Sequence, residues 1–434
     1  MRQRKIVYQN LRKEDKEVYD LIEKELERQK NGLEMIPSES YASRAVLEAM
    51  GSIFNNKYSE GFPKKRYYGG QEYTDQIEQL AIDRAKALFG VDHVNVQPYS
   101  GSPANQAAYF ALCEPGDRIM GMDLSNGGHL THGHKVNFSG RYFNSISYGV
   151  GKDERIDFDQ VEQLLKKHRP KLIFAGATAY PREYDFETFG KLARKYDAFF
   201  VADIAHIIGL VIAGEHVSPV GHAHVITSTT HKTLRGPRAG IIMCNGDPSN
   251  PLKKPDKISE RNLPTLIDRA IFPGLQGGPH EHTIAGIAVA LREASTEEFL
   301  RWANQVVKNA AALASIFLER GFKLVSGGTD NHLVLMDVTS KDLDGKIAEE
   351  TLDKIGISVN KNTIPGDKRP AFSPSGIRLG TPCATIRGMK EGEMKILGKA
   401  ICDALENYEN EQKIKRIEEE VRALCREFPI YPKL

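Results

Sequence analysis

The sequence lacks the features that would tie it to a membrane, an oxidising compartment or nucleic acid. None of its apolar runs approaches the ~20 residues that a membrane-spanning helix requires. Its five cysteines include no CxxC pair and are odd in number, which indicates reduced thiols in a cytoplasmic protein. Only 8% of its residues are aromatic, and 59 basic against 57 acidic residues leave a net charge of +2. A dedicated nucleic-acid groove is therefore not expected.

The N-terminus is basic, but no apolar segment follows it. Residues 1–5 lead into no hydrophobic core of a signal peptide, so secretion is not expected, while a short targeting arm stays open. The next segment, residues 15–30, predicts an amphipathic helix that packs either on its own chain or on a partner subunit. The apolar residues on its predicted face are Val18, Leu21, Ile22 and Leu26.

The length of 434 residues predicts two or three structural units. Helical patterns and short apolar strands alternate over residues 70–245, which is typical of a mostly parallel sheet covered on both faces. A Pro- and Gly-rich stretch at 273–279 precedes an α+β pattern. We therefore expect an N-terminal helical arm at 1–30, a large domain at 31–280 and a smaller C-terminal domain at 281–434.

Three short segments each fit a different part of pyridoxal phosphate. Lys232 follows an apolar strand in a hydroxyl-rich loop, where its amine can form a Schiff base, although a surface lysine is the plainer interpretation. Asp203 ends another apolar strand, where a carboxylate can keep a pyridinium nitrogen protonated or simply cap a helix. Ser100-Gly101-Ser102 offers N–H groups and hydroxyls to a phosphate, or caps a helix that begins at Pro103. Together the three segments favour the cofactor.

The residues around the lysine resemble a known family. The run from Thr229 to Arg238, TTHKTLRGPR, is similar to the pyridoxal-lysine signature of serine hydroxymethyltransferases. Further segments that match the family are residues 56–61, 65–70, 95–105, 127–133, 203–206, 272–279, 326–333, 360–365 and 375–382. The resemblance implies a fold-type-I enzyme, similar to aspartate aminotransferase. Such an enzyme has a three-layer α/β/α large domain with a mostly parallel sheet and a smaller α+β C-terminal domain.

The resemblance also implies an activity and a cofactor site. The enzyme would move the hydroxymethyl group of serine reversibly to tetrahydrofolate or a related tetrahydropterin, giving glycine. Lys232 would hold pyridoxal 5'-phosphate, Asp203 would pair with its ring nitrogen, and His129 would stack on its ring. The other implied contacts are Thr178 and His206 at the phenolic oxygen, Ser100, Gly101, Ser102 and His231 at the phosphate, and Tyr58, Gly277 and Gly278 from a partner subunit. A homodimer with shared active sites follows, and a tetramer stays open.

The same resemblance assigns the substrate side. Arg378 would bind the carboxylate of serine or glycine as a bidentate donor, with Ser38 nearby. Glu60 would be the acid–base residue at the hydroxymethyl group, with Tyr68 beside it. Residues implied around the pterin are Leu124, Gly128, His129, Leu130, Asn362 and Phe372. Departures from the family pattern lie at 37–40, at Tyr99, at Ala239 and, near the pterin side, at 370–375.

Three alternatives are weighed against this interpretation. His129, His132 and His134 could ligate zinc, but the surrounding glycines indicate a loop and no cysteine or carboxylate joins them, so no metal is expected. A threonine or β-hydroxy-amino-acid aldolase would act without the pterin. A catalytically silent binding protein would have no need for a buried reactive amine at Lys232.

Overall fold

The computed structural model describes residues 8–245 and 262–431. The basic residues 1–5 and the first part of the expected arm lie outside this range. The chain divides into two compact units. Unit 1 comprises the residues up to Glu39 together with those from Gln305 onward, and unit 2 comprises Ser40–Asn304.

The helices and strands of the described residues are numbered here in chain order. The α-helices are α1 (Gln9–Glu14), α2 (Lys16–Asn31), α3 (Arg44–Met50), α4 (Glu72–Phe89), α5 (Gly101–Leu112), α6 (Phe138–Tyr142), α7 (Phe158–His168), α8 (Phe186–Lys195), α9 (Ile208–Ala213), α10 (Leu263–Arg269), α11 (Glu281–Ala294), α12 (Glu297–Glu319), α13 (Gly345–Lys354), α14 (Pro382–Ile386), α15 (Glu391–Glu406) and α16 (Glu411–Glu427). The strands are β1 (Leu33–Glu34), β2 (Gly61–Phe62), β3 (Lys65–Arg66), β4 (His93–Asn95), β5 (Arg118–Met122), β6 (Asn144–Tyr148), β7 (Leu172–Ala175), β8 (Phe199–Asp203), β9 (Val225–Thr229), β10 (Gly240–Cys244), β11 (Lys323–Leu324), β12 (Leu333–Asp337), β13 (Ile357–Ser358), β14 (Asn360–Asn362) and β15 (Gly376–Gly380).

Unit 2 is built on a mostly parallel sheet, as the alternation of helices and strands predicts. In the described residues this sheet has seven strands in the order β4-β10-β9-β8-β7-β5-β6, and β10 alone is antiparallel to its neighbours. Every residue of β7, β9 and β10 is buried, because helices cover the sheet. The α/β class is therefore confirmed.

Unit 1 combines helices with an antiparallel sheet. Its four-stranded sheet in the described range has the order β11-β12-β15-β14, and its core also includes apolar residues from α13, α15 and α16. Helix α2 packs near α16, and the Arg387 guanidinium donates to the carbonyl of Gly32, just beyond α2. The predicted apolar face of α2 stays largely exposed in this chain, with 58% of Leu21 accessible.

Candidate active site

The predicted cofactor residues of unit 2 follow the carboxyl ends of its parallel strands. Strands β4, β5, β7, β8 and β9 run in one direction, so the segments after them meet at the same edge of the sheet. These segments are Ser100–Ser102 after β4, Gly128–Leu130 after β5, Thr178 after β7, Asp203–His206 after β8 and His231–Lys232 after β9. The topology thus gathers residues that are far apart in the sequence.

Lys232 lies in a loop that is fastened to the segment after β8. Only 9% of Lys232 is exposed. The Thr233 hydroxyl donates to the His206 carbonyl at 3.0 Å and accepts from the Gly209 N–H at 3.0 Å. A Cβ on Gly209 would overlap the carbonyl oxygen of Thr233, so glycine is required for this approach. The loop that carries the amine is therefore set against the segment that begins at Asp203.

Asp203 is a buried carboxylate with several donors. Its Oδ2 accepts from Asn105 Nδ2 at 2.8 Å and from His132 Nε2 at 3.0 Å, and its Oδ1 accepts from the Ala205 N–H at 3.0 Å. Burial raises the pKa of this carboxyl, but the hydrogen bond and charge of His132, with the Asn105 bond, outweigh it. The pKa is therefore held well below its ordinary value, and Asp203 is ionised at neutral pH.

The Ser100-Gly101-Ser102 turn forms the N-terminus of α5. The expected helix start at Pro103 is wrong, because Ser100 is the N-cap and Gly101 the first helical residue. Proline is tolerated there because N–H groups in a first turn have no partner within the helix. The Ser100 side chain makes no capping hydrogen bond. A Cβ on Gly101 would overlap the Thr229 side chain, so the turn lies against the end of β9, three residues before Lys232.

His129 begins a short helical turn, and the two glycines before it contact Thr178. Its Nδ1 lies 2.7 Å from Thr131 Oγ1. The Thr178 hydroxyl lies 3.1 Å from the Gly127 carbonyl and 3.2 Å from that of Gly128. The structure thus joins the loop after β5 to the loop after β7.

The histidine run does not form a metal cluster in the described part of the chain. His132 is bonded to Asp203, and no group of three or more His, Cys, Asp or Glu among residues 8–245 and 262–431 is arranged to hold a metal ion. In the same ranges, the helices are too short or too polar to cross a membrane.

Glu60 lies in a cluster with Tyr68, which is predicted beside it, and with the three residues predicted to reach a partner subunit's phosphate. Its carboxylate accepts from the hydroxyls of Tyr58 at 3.4 Å and Tyr68 at 3.2 Å. Partial desolvation and then the Glu60 charge raise the pKa of Tyr68. A Cβ on Gly277 would lie 3.1 Å from Glu60 Oε1, and one on Gly278 would lie 3.4 Å from the Tyr58 ring. The structure therefore brings these five residues together within one chain.

Tyr99 connects this cluster to the turn at the start of α5. The Tyr99 hydroxyl donates to the Gly278 carbonyl at 2.7 Å, and its N–H donates to Gln276 Oε1 at 3.0 Å. Its ring also stacks on His280 with centroids 4.2 Å apart. Gly278 thus lies beside the residue that precedes Ser100, and its action on a partner's phosphate stays a prediction.

Of the remaining predicted residues, Leu124 lies in unit 2, in a short helical turn after β5, and the others belong to unit 1. Arg378 lies in β15, where its Nε donates to Asn360 Oδ1 at 2.9 Å, and burial lowers its pKa to about 10. The Gly380 N–H donates to the Met35 carbonyl at 2.6 Å, so the segment leading to Ser38 runs along the strand that carries Arg378. The two predicted pterin residues of this unit are Asn362, in β14, and Phe372, which is exposed.

Two residues that support the site, Asn105 and Thr131, were not predicted from the sequence. Asn105 and Thr131 are buried and link Asp203 to His129. The sequence could have indicated Asn105, because it is an amide among the alanines Ala104, Ala107 and Ala108 of α5, which are buried with it. Thr131 gave no comparable signal.

The edge of the unit 2 sheet matches the parts of pyridoxal phosphate. It combines a buried amine, an ionised buried carboxylate and a helix N-terminus whose first serine does not cap the helix. His231 Nδ1 is buried without a hydrogen-bond partner in the described structure. Burial, followed by the charges of Arg238 and Lys232, lowers the pKa of His231 to about 3, so its ring is neutral. The fold and this site define a pyridoxal phosphate-dependent enzyme.

Comparison with known proteins gives the family. The model of the serine hydroxymethyltransferase family matches residues 11–401. A relative from Acidobacterium capsulatum, named serine hydroxymethyltransferase, is 51% identical over 423 residues, which is 97% of this chain and 96% of the relative. The chain belongs to the serine hydroxymethyltransferase family. It is a transferase of one-carbon metabolism that interconverts serine and glycine with tetrahydrofolate and depends on pyridoxal phosphate. The expected family, activity and cofactors are thus confirmed.

Proposed function

We propose that this chain transfers the hydroxymethyl group of serine at the carboxyl edge of the unit 2 sheet, by reversible cleavage of the bond between Cα and Cβ. The observation that carries this assignment is a buried lysine amine next to a segment that begins with a buried, ionised carboxylate. Both groups lie at the carboxyl ends of parallel strands, where ligand sites of α/β folds form. Their placement supports a chemical role.

The cofactor is held by residues of five loops at this edge. When bound, pyridoxal phosphate supplies an electron sink for the carbanion left by the cleavage. Lys232 holds the aldehyde carbon of the cofactor, and Asp203 keeps the ring nitrogen protonated because its own pKa is low. His129 faces the ring. The other proposed contacts are Thr178 and His206 at the phenolic oxygen, and Ser100, Gly101, Ser102 and His231 at the phosphate.

The substrate carboxylate and hydroxyl are assigned to two different residues. Arg378 binds the carboxylate, since a pKa lowered only to about 10 leaves it charged at neutral pH. Ser38 lies on the segment beside its strand. Glu60 takes the proton of the serine hydroxyl as the carbon–carbon bond breaks and returns it in the reverse direction. Tyr68 supports Glu60 through its hydrogen bond.

The pterin site and the assembly complete the proposal. The pterin, tetrahydrofolate or a related carrier, contacts Leu124, Gly128, His129, Leu130, Asn362 and Phe372. Two chains form a cytoplasmic homodimer in which Tyr58, Gly277 and Gly278 of one subunit reach the phosphate of the other. In support, aromatic side chains near this segment are exposed in the single chain, with 59% of Tyr58 and 74% of Tyr67 accessible.

The fold-type-I layout assigns 31–280 to a three-layer cofactor domain, 281–434 to a small domain and 1–30 to the arm. These bounds differ from those of units 1 and 2.

The lysine assignment can be tested by chemical trapping. Borohydride reduction of the cofactor-loaded protein, followed by peptide mapping, should give a pyridoxyl adduct on Lys232. Lys232→Ala should give none, while Lys171→Ala, a partly buried lysine paired with Asp117, should react like the wild type. An adduct on another lysine in the wild-type protein would contradict the proposal.

A further inference from the structure

Asn105 is fixed between three partners at the base of the site. Its carbonyl oxygen accepts from the Thr227 hydroxyl at 2.6 Å. Its amide nitrogen donates one hydrogen to Asp203 Oδ2 at 2.8 Å and the other to Thr131 Oγ1 at 2.9 Å. An ionised carboxylate can only accept, so the nitrogen must face Asp203 and the orientation of the amide is determined. Asn105 is only 2% exposed, and every hydrogen that its amide carries is used.

The backbone N–H of Thr131 determines the direction of the next hydrogen bond, between Thr131 and His129. Thr131 Oγ1 accepts from Asn105 and keeps its single hydrogen, which it can donate to His129 Nδ1, 2.7 Å away. The backbone N–H of Thr131, which can only donate, points to the same Nδ1 at 3.2 Å. Two donors converge on this nitrogen, so Nδ1 carries a lone pair and the proton of the His129 ring lies on Nε2.

We infer that Thr131 and Asn105 are positioning residues that hold His129 as the neutral tautomer protonated at Nε2. The functional meaning rests on the proposed stacking of His129 on the cofactor. A ring nitrogen that Asp203 keeps protonated is positive, and a neutral imidazole beside it avoids a second positive charge. The same Asn105 amide bonds both Asp203 and Thr131. One side chain therefore supports both the ionised carboxylate of Asp203 and, through Thr131, the neutral ring of His129.

Other charged and titratable groups face His129 as well. The His132 ring centroid lies 5.6 Å from that of His129, and His132 Nε2 is bonded to Asp203. Asp203 itself interacts electrostatically with His129. A carboxylate favours a cationic imidazole, so the two donors on Nδ1 act against the charge of Asp203.

The test is nitrogen NMR of the full-length chain labelled with 15N-histidine, with cofactor bound and after its removal. The His129 resonances are assigned with His129→Gln. The wild type should show a protonated Nε2 and an unprotonated Nδ1 in both states. Thr131→Val removes one donor to the neutral ring and should raise the pKa of His129 by about half a unit to one unit, the equivalent of one net hydrogen bond. Thr131→Ser should restore the wild-type titration.

A matched control and two contrary results make the test decisive. Thr351→Val makes the same change at a buried threonine of α13 in unit 1 and should leave the His129 resonances unchanged. A proton on Nδ1 in the wild type would overturn the inference, and so would a Thr131→Val protein whose His129 titrates like the wild type. The wild-type spectrum decides the tautomer even when Thr131→Val does not fold. The spectrum recorded after cofactor removal reports the His129 tautomer whichever lysine holds the cofactor. A contrary tautomer and a pyridoxyl adduct on another lysine are therefore separate results, and each contradicts a different proposal.

Discussion

Replacing Glu281 by glutamine should make the stability of this protein less dependent on pH. Glu281 is 1% exposed and shares a buried cluster with Glu78 and Arg66. The Ser59 hydroxyl donates to Glu281 Oε1 at 2.5 Å, and Arg66 donates to the Ser59 carbonyl at 2.8 Å. Because Ser59 precedes Glu60, this cluster fixes the backbone of the segment that carries the proposed acid–base residue.

The magnitude follows from the raised pKa of the Glu281 carboxyl. Burial, followed by the Glu78 charge, raises this pKa from 4.5 to about 7, against the lowering effects of Ser59 and Arg66. Between these pH values the folded chain binds a proton that the unfolded chain has released, so stability falls as pH rises through this window. At ~1.36 kcal/mol per unit, the shift corresponds to roughly 3 kcal/mol by pH 8.

Urea unfolding of the cofactor-free protein at several pH values measures this effect. The unfolding free energy of Glu281→Gln minus that of the wild type should rise by roughly 3 kcal/mol between pH 4.5 and 8. Glutamine keeps the acceptor for Ser59, so the comparison isolates the charge. Glu298→Gln, at an exposed position of α12, should show no such trend. A constant difference across the range would refute the argument that Glu281 is protonated in the folded state.

Three further predictions concern the proposed site. Asp203→Asn should retain the cofactor, because the phosphate and lysine contacts remain, while serine cleavage falls by on the order of 10²–10⁴, as for lost proton control; near wild-type turnover would leave Asp203 a structural role only. Arg378→Lys keeps the charge but loses the bidentate donor, so titration should show glycine binding weakened by roughly 1.5–3 kcal/mol with pterin binding unchanged, and the reverse pattern would contradict the assignment. Dilution should release cofactor together with dissociation into single chains if Tyr58 reaches a partner's phosphate, and a fully active monomer in sedimentation would argue against it.

Elements with a strong local pattern could be predicted from the sequence. The apolar periodicity predicts helices at 72–89 and 158–168, and α4 and α7 have these bounds. Gly90 ends α4 in the left-handed conformation with φ +66°, as expected for a glycine at that position. The apolar runs that predict β7 to β10 are fully or largely buried. Their apolar composition therefore predicts that they lie inside the sheet.

Elements without such a pattern were not predicted. Strand β6, with the sequence NSISY, lies at the sheet edge and pairs with β5 alone among the described strands, so most of its side chains are exposed and no apolar run marks it. The helix start was misplaced because two serines two residues apart can each cap a helix, and the sequence does not decide between them. The bonds that join Asn105 to Asp203 or Ser59 to Glu281 connect residues 98 and 222 positions apart, a separation that only the tertiary fold closes.

Helix α5 contacts several of these distant segments, so their relative positions depend on where this one helix lies. Its N-terminal turn carries the proposed phosphate site, and one turn later Asn105 reaches both Asp203 and Thr131. At the i+4 position, Tyr109 donates its hydroxyl to the Thr131 carbonyl at 2.9 Å, so one face of the helix holds Thr131 by both side chain and backbone. An asparagine side chain is short, and four of the other buried residues of α5, Ala104, Ala107, Ala108 and Ala111, are alanines that let the helix approach the sheet closely. A larger residue at one of these alanines would move Asn105 away from Asp203, and the phosphate turn would move with it, because both are parts of the same helix.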